Sequence, residues 1–197
     1  MAHNFNTAKE QTEFGEVIPD GTIATIQVNI RPGGAGEGGW MKRSDKTGST
    51  GLDAEFTVVD GPYTKRKFWK LFTMEGPNEG HAKAGEISAS QIRGILESAR
   101  GIRPDDESDA ARSARVINSW GDLDGLRFVG KIGVEKGKDG YKDKNTLAIA
   151  LTPDRQQYKR AEQVARPVTA APSVVPAPAQ GISAQAPASP SRPSWAS

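Results

Sequence analysis

Cationic side chains stand next to aromatic rings in three stretches of this 197-residue chain. In the first stretch, residues 52–72, the cations Lys65, Arg66 and Lys67 precede Trp69. An indole ring can stack on nucleic-acid bases while neighbouring cations bind phosphates, so this composition suits a single strand of nucleic acid. The alternative is that Trp69 packs under a loop as an ordinary core residue.

The other two stretches are the Gly-rich residues 32–51, with Trp40, and the Lys-rich residues 136–145, with Tyr141. The alternative for Trp40 is that it covers the end of a hydrophobic core. Together with the first stretch and one lysine of a later strand, they supply the candidate nucleic-acid-binding residues. These are Trp40, Lys42, Arg43, Lys65, Arg66, Lys67, Trp69, Lys131, Lys136, Lys138, Tyr141, Lys142 and Lys144.

The sequence lacks the residue patterns that metal binding, dinucleotide binding or catalysis would need. The chain has no Cys, and His3 and His81 lack the spacing of a metal-binding pair. The acidic residues 105–109 lie in a predicted loop, which favours a solvated turn and helix start over a metal site. No helix pattern follows the glycines of residues 32–51, which argues against a dinucleotide-binding loop. We therefore predict no catalytic residues, no metal, no cofactor and no enzyme activity, a nuclease included.

The charge balance limits how a nucleic acid would be attracted. The formal net charge is +2, of which residues 153–197 contribute +3 and the rest of the chain −1. A near-neutral domain exerts little long-range attraction on phosphate, so binding must depend on local clusters of cations. The same balance favours an alternative function, a non-catalytic protein-interaction module.

Alternating apolar residues predict the strands that position these side chains. Residues 23–31 predict a strand, and residues 52–72 predict a β-hairpin that turns at residues 60–62. The second arm of the hairpin places Phe68, Lys70 and Phe72 on one face and Lys67, Trp69 and Leu71 on the other. Both faces carry aromatic rings, so one face packs inward and the other keeps a ring available. The apolar faces of the other strands carry Ile26, Val28, Ile30, Leu52, Ala54, Phe56 and Val58.

The second half of the domain predicts a helix and two more strands. The helix begins near Ser88 and ends at Gly101, after an apolar stripe. Residues 125–135 and 146–151 predict strands that are joined by a hairpin with its tip at residues 139–140. In the first of these strands, Val129 is predicted to face outward.

This order of elements predicts an all-β fold with one or two helices, namely a five-stranded OB-fold-like Greek-key barrel. The helix lies between strands three and four, as in that fold. We assign residues 21–152 to the barrel, residues 1–20 to a polar lead-in and residues 153–166 to a basic connector. An OB-fold binds oligonucleotides on strands two and three and through two loops, and the three stretches fall on these places.

Residues 167–197 are rich in Pro, Ala and Ser, which predicts a disordered tail. Trp195 is a candidate docking residue for a recombinase, helicase or primase, and the alternative is an inert terminus. The N-terminus is polar, and no run approaches the roughly 18 apolar residues of a membrane helix. We therefore expect a cytoplasmic location and no membrane partner.

Four short motifs resemble a family of small phage and prophage proteins. They are Ile18-Pro19-Asp20-Gly21, the hairpin arm DGPYTKRK (60–67), the helix end LESARGI (96–102) and the strand start DGLRFV (124–129). The resemblance covers about residues 15–151. Members are regarded as probable single-stranded DNA-binding proteins, their genes often lie beside recombination functions, and they lack a catalytic signature.

The resemblance implies a sequence-tolerant single-stranded DNA-binding protein of phage replication or recombination, located in the bacterial host cell. The alternative is an OB-like module that recruits a replication or recombination partner through its barrel or its tail. One departure concerns that tail, because better-known bacterial single-strand-binding proteins end in an acidic, Phe-terminated tip. This sequence ends in RPSWAS, so recruitment by the acidic-tip route is not implied.

Overall fold

The computed structural model describes residues 6–7, 16–138 and 140–158 and consists mainly of one antiparallel β-sheet with one main helix. The strands are β1 (Ile23–Arg31), β2 (Lys42–Arg43), β3 (Thr50–Val58), β4 (Lys67–Glu75), β5 (Arg127–Glu135) and β6 (Lys144–Ala150). The helices are α1 (Glu79–Arg100) and the short α2 (Asp109–Ser113), with 3-10 turns at Glu37–Gly39 and Trp120–Leu123.

The sheet has six strands and is open. β3 pairs with β1, β2 and β4, β1 also pairs with β5, and β5 pairs with β6. Among the described residues no ladder joins β4 to β6, where Lys70 Nζ instead donates to the Leu147 carbonyl oxygen at 3.4 Å. The predicted antiparallel sheet with a helix after the hairpin is therefore confirmed, whereas closure into a barrel is not. The two-residue strand β2 was not predicted.

Phenylalanines from three strands fill the centre of the core. Phe56 of β3 stacks on Phe68 with the ring centroids 5.1 Å apart, and Phe72 and Phe128 meet Phe56 edge to face. Both arrangements are favoured by the charge distribution of aromatic rings. Every apolar side chain that was predicted to point inward from residues 23–31 and 52–72 is buried.

The packed chain extends beyond both predicted ends of the domain. Ile18 is buried. Asn145 Oδ1 accepts a hydrogen bond from the backbone N of Ile18, and Asn145 Nδ2 donates to the carbonyl oxygen of Ile18, each at 2.8 Å. At the other end Tyr158 is buried, and its hydroxyl donates to the Ser98 carbonyl oxygen at 3.2 Å. Boundaries at residues 21 and 152 therefore leave out residues that belong to the packed structure.

Helix α1 begins at Glu79 and not, as predicted, near Ser88. The Asn78 side chain caps it by accepting a backbone N–H at 2.9 Å. The first turns are mostly exposed and add little to the apolar stripe, so the periodicity in the sequence starts only at the buried part of the helix. The predicted end is confirmed, because Gly101 follows the last turn with φ 67°.

Val129 of β5 is buried, although alternation predicted that it faces outward. It packs with Leu151 and Tyr158 in a small second cluster, and its backbone N donates to the Ser98 hydroxyl at 3.0 Å. The chain that follows β6 covers this face of the strand. Such long-range covering leaves no trace in the alternation of the strand itself.

Several predicted features lie outside the described residues. They include most of the N-terminal lead-in, residues 159–166 of the connector, and the tail 167–197 with Trp195. Of the helices that the structure does describe, none is both long enough and apolar enough to cross a membrane.

Candidate nucleic-acid interface

One face of the sheet, which we call the outer face, presents polar, charged and aromatic side chains to solvent. It consists of the outward residues of β1, β3 and β4, since successive side chains of a strand point to opposite sides. These residues are Gln27, Asn29, Arg31, Asp53, Glu55, Thr57, Lys67, Trp69 and Leu71. Cross-strand pairing places Asn29, Glu55 and Trp69 in one row. Arg31, Asp53 and Leu71 form the next row.

Trp69 lies open on the outer face. Its exposed fraction is 48%, and that of Leu71, the next outward residue of β4, is 54%. The indole Nε1 donates to Glu55 Oε2 at 3.1 Å, which fixes the edge of the ring. Of the two faces of this arm, the one with Trp69 is therefore the open one, and packing of Trp69 under a loop is excluded.

Glu55 ties Trp69 to a neighbouring cation. Its second carboxylate oxygen accepts a hydrogen bond from Lys67 Nζ at 2.6 Å. This bond lowers the pKa of Glu55 below its ordinary value; partial burial opposes the effect, and the bond from Trp69 adds to it. The pair therefore stabilises the fold at pH values above the ordinary carboxyl pKa, and this contribution is lost as the pH falls through the lowered one.

Asp53 forms a second charged cluster on the outer face. Its Oδ2 lies 3.1 Å from Arg31 Nη2 and 3.8 Å from Lys42 Nζ. The carboxylate is largely covered, with 16% of the side chain exposed, whereas more than half of each cation is exposed. A negatively charged ligand would therefore meet the cations first.

Further charged side chains adjoin the outer face. Arg127 of β5 donates from Nε to the Gln27 side chain at 3.2 Å. Asp124 accepts from the Asn29 side chain at 3.3 Å, and Asp60 accepts from the Thr25 hydroxyl at 2.6 Å. Cations and acids are therefore interspersed on this surface.

The turn between β3 and β4 holds Lys65 in the left-handed backbone region. Its φ is 70°, and it is the one non-glycine residue with a positive φ in the described part of the chain. An ordinary residue pays roughly 1–2 kcal/mol for this conformation, and such strain clusters at functional sites. The neighbouring Arg66 instead uses Nη2 to bind the Glu16 carbonyl oxygen at 2.6 Å.

The Lys-rich hairpin between β5 and β6 is partly neutralised by its own acids. Lys136 Nζ lies 2.7 Å from Asp143 Oδ2, and this hydrogen bond raises the pKa of Lys136 and lowers the pKa of Asp143. Lys144 pairs with Glu135 at 3.3 Å. Two of the four predicted lysines of this hairpin are therefore already paired.

The hairpin also has three exposed side chains that are available to a ligand, namely Tyr141, Lys138 and Lys142. The tyrosine ring is 81% exposed. Within the described ranges neither Lys138 nor Lys142 takes part in an ion pair. A ligand at the hairpin would therefore contact one ring and two lysines before it disturbed any existing pair.

The structure brings two of the three predicted stretches to the same end of the sheet. Ile23, where β1 begins, is paired with Lys131, so the β5–β6 hairpin projects past this end. The β3–β4 turn lies at the same end, because Ile26 pairs with Val58. The chain leaves β1 at the opposite end to enter residues 32–51. The predicted cations of that Gly-rich stretch therefore lie away from the hairpin.

Trp40 packs against other side chains and is only partly exposed to solvent. It lies partly buried against the core, and a Cβ atom at Gly121 would come within 2.6 Å of its ring. The ring therefore covers the end of the core, which was the alternative for this residue. Lys131 is partly buried as well, whereas Arg43 is exposed in β2.

Two acidic residues of this surface, Asp53 and Glu55, are absent from the predicted site residues, although they alternate with buried residues of β3. The pairing of Glu55 with Trp69 does not follow from the predicted turn at residues 60–62. The connection between β3 and β4 spans residues 59–66, and its length shifts the register of the two strands.

In the described part of the chain, no group of three or more His, Cys, Asp or Glu side chains is placed to hold a metal ion.

Neither the models of known protein families nor the curated proteins include a match to this chain.

Proposed function

We propose that this protein binds single-stranded DNA on the outer face, with little dependence on sequence. The observation that carries the proposal is the half-exposed ring of Trp69, held at its edge by Glu55 and followed by the exposed Leu71. Successive outward residues of a strand lie about 6.6 Å apart, so Lys67, Trp69 and Leu71 offer a cation, a ring and an apolar side chain in line. Rings beside cations are the usual means of binding a single strand of any sequence.

The proposal includes an OB-fold-like arrangement of the sheet. When the two-residue β2 is set aside, five strands remain, with α1 between the third and the fourth. β1 pairs with β3 and β5, which are the second and fourth of these five strands. Lys70 of β4 reaches β6, where a barrel would close. In an OB-fold the second and third strands, here β3 and β4, carry the oligonucleotide-binding face.

The resemblance to phage and prophage proteins supports a role in phage replication or recombination in the bacterial cytoplasm. This part of the proposal depends on the four motifs and not on the geometry. The four motifs lie before β1, in the β3–β4 connection, at the end of α1 and at the start of β5. Sequence-tolerant binding by a ring and cations is what coating of a replication or recombination intermediate requires.

The direct test is fluorescence anisotropy of labelled oligo-dT, titrated with the full chain at low and moderate salt. We expect submicromolar binding at low salt, with quenching of tryptophan emission. The logarithm of the binding constant should fall with the logarithm of salt concentration, with a slope of about −0.7 for each phosphate neutralised. Absence of binding at low salt would overturn the proposal, and a matched oligo-rU titration measures the preference for DNA over RNA.

Two replacements of Lys65 test the effect of its charge and the effect of its backbone conformation separately. Lys65→Asn removes the cation but keeps a residue that tolerates the left-handed region, and Lys65→Gly removes the strain as well. We expect both variants to bind oligo-dT a few-fold more weakly, with the salt slope reduced by about 0.7. Urea unfolding should show unchanged stability for Lys65→Asn and a gain of up to about 1 kcal/mol for Lys65→Gly. A loss of stability in both would show that the lysine side chain is structural.

A further inference from the structure

A groove that shares no residue with the outer face runs between α1, the end of β4 and residues 107–120. It consists of one cavity of about 460 Å³ and an adjoining one of about 260 Å³. Ile117 and Trp120 line both cavities and separate them. The rest of the floor of the larger cavity is apolar and comes from Met74, Ala89, Ile92 and Leu96. The larger volume lies in the usual range of ligand-binding clefts.

A buried carboxylate fixes two of the arginines that line the larger cavity. Glu97 is 3% exposed, and its Oε1 accepts hydrogen bonds from Arg93 Nε at 2.8 Å and from Arg115 Nε at 2.7 Å. Arg93 also donates from Nη2 to the Pro104 carbonyl oxygen, and its Nη1 makes no hydrogen bond within the described residues. Arg93 is therefore held in place with one donor edge available to a ligand.

Arg112 is the second available cation of the groove. Its Nη2 lies 3.3 Å from Glu107 Oε2, and the two side chains are 63% and 72% exposed. A surface pair of this kind contributes little to stability, so Arg112 can exchange Glu107 for the carboxylate of a ligand at little cost. Two guanidinium groups thus stand beside an apolar floor.

We propose that this groove binds an extended peptide of a partner protein, in which carboxylates stand next to a bulky apolar side chain. The apolar floor fits the bulky side chain. Arg93 Nη1 can donate to one carboxylate, and Arg112 can bind another bidentately once it releases Glu107. Two cavities divided by Ile117 and Trp120 fit consecutive side chains of an extended chain.

The test is selection of a random-peptide display library on the full-length chain, followed by measurement of the affinity of the enriched peptides. We expect enriched peptides that combine aspartate or glutamate with a bulky apolar residue. Arg112→Glu should weaken their binding by about fivefold or more, because an attractive charge becomes a repulsive one. Lys83→Glu is the matched control, since Lys83 is an exposed cation of α1 that does not line the groove, and it should leave the affinity unchanged.

Two further measurements place the peptide in the groove. Ile117→Asp puts a carboxylate between the two cavities and should abolish binding, with circular dichroism to verify folding. Saturation with oligo-dT and the Trp69→Ala change should both leave peptide binding unchanged, so this test does not depend on DNA binding. Peptides without acidic residues, indifference to Arg112→Glu, or displacement by oligo-dT would each overturn the proposal.

Discussion

Trp69→Ala is expected to weaken the binding of single-stranded DNA by at least about fivefold and to leave the fold intact. Stacking of one base on an aromatic side chain is worth about 1–3 kcal/mol, which corresponds to roughly 5- to 150-fold in affinity. Because the ring is 48% exposed, its removal should lower the free energy of unfolding by only about 1 kcal/mol. Oligo-dT anisotropy and urea unfolding of the same preparation measure the two effects.

Two matched variants make this prediction specific. Trp69→Phe keeps a ring on which a base can stack but loses the hydrogen bond to Glu55, so most of the affinity should remain. Phe68→Ala changes the adjacent, inward-facing ring, which stacks on Phe56, and should lower the stability by about 3–5 kcal/mol. Full affinity in Trp69→Ala, or a loss of stability comparable to that of Phe68→Ala, would contradict the stacking role.

The hairpin of β3 and β4 shows how far alternation can be followed from sequence to structure. Phe68 and Trp69 lie on opposite faces as predicted, and the structure shows which face is which. Phe56 and Phe68 are buried and Trp69 is exposed, because one face of these strands packs on the core and the other meets solvent. Val129 breaks the same rule, since Leu151 and Tyr158, which follow β6, cover it. Local periodicity therefore predicts which side of a strand is apolar only where nothing else packs on its second side.

The candidate site was predictable in part, for a related reason. The exposure of Trp69 follows from local alternation, whereas the packing of Trp40 on Gly121 joins residues that are distant in sequence. The contact of Glu55 with Trp69 is an intermediate case. The outward position of Glu55 follows from alternation, whereas its pairing with Trp69 depends on the register that the β3–β4 connection sets. Pairing of the hairpin lysines with nearby acids likewise reduces the charge that a count of lysines indicates.

Glu55 gives the outer face a property that an all-cationic surface would lack. The carboxylate holds Lys67 and Trp69 at fixed positions before any ligand arrives, which reduces the entropy lost on binding. It also repels phosphate, although only 19% of its side chain is exposed. Affinity on this face should therefore depend on the ring more than on net charge, which fits the near-neutral domain.

Glu97→Ala is expected to lower the free energy of unfolding by about 3 kcal/mol, more than any change to an exposed ion pair of this chain. The carboxylate is buried, and its removal leaves Arg115, whose side chain is 15% exposed, without its charged partner. Arg115 also donates from its guanidinium to the carbonyl oxygens of Arg103 and Asp106. The loop at residues 103–106 should therefore loosen together with the ion pair, and urea unfolding measures the combined loss.

Glu107→Ala is the matched control, because it removes a carboxylate from an exposed pair with Arg112 on the same side of α1. Its effect should stay below about 1 kcal/mol. A double-mutant cycle of Glu97→Ala with Arg115→Ala should give a smaller loss than the sum of the single changes, because the second change removes the charge that the first left unpaired. Additive losses, or a Glu97→Ala effect no larger than that of the control, would show that Glu97 does not hold this region together.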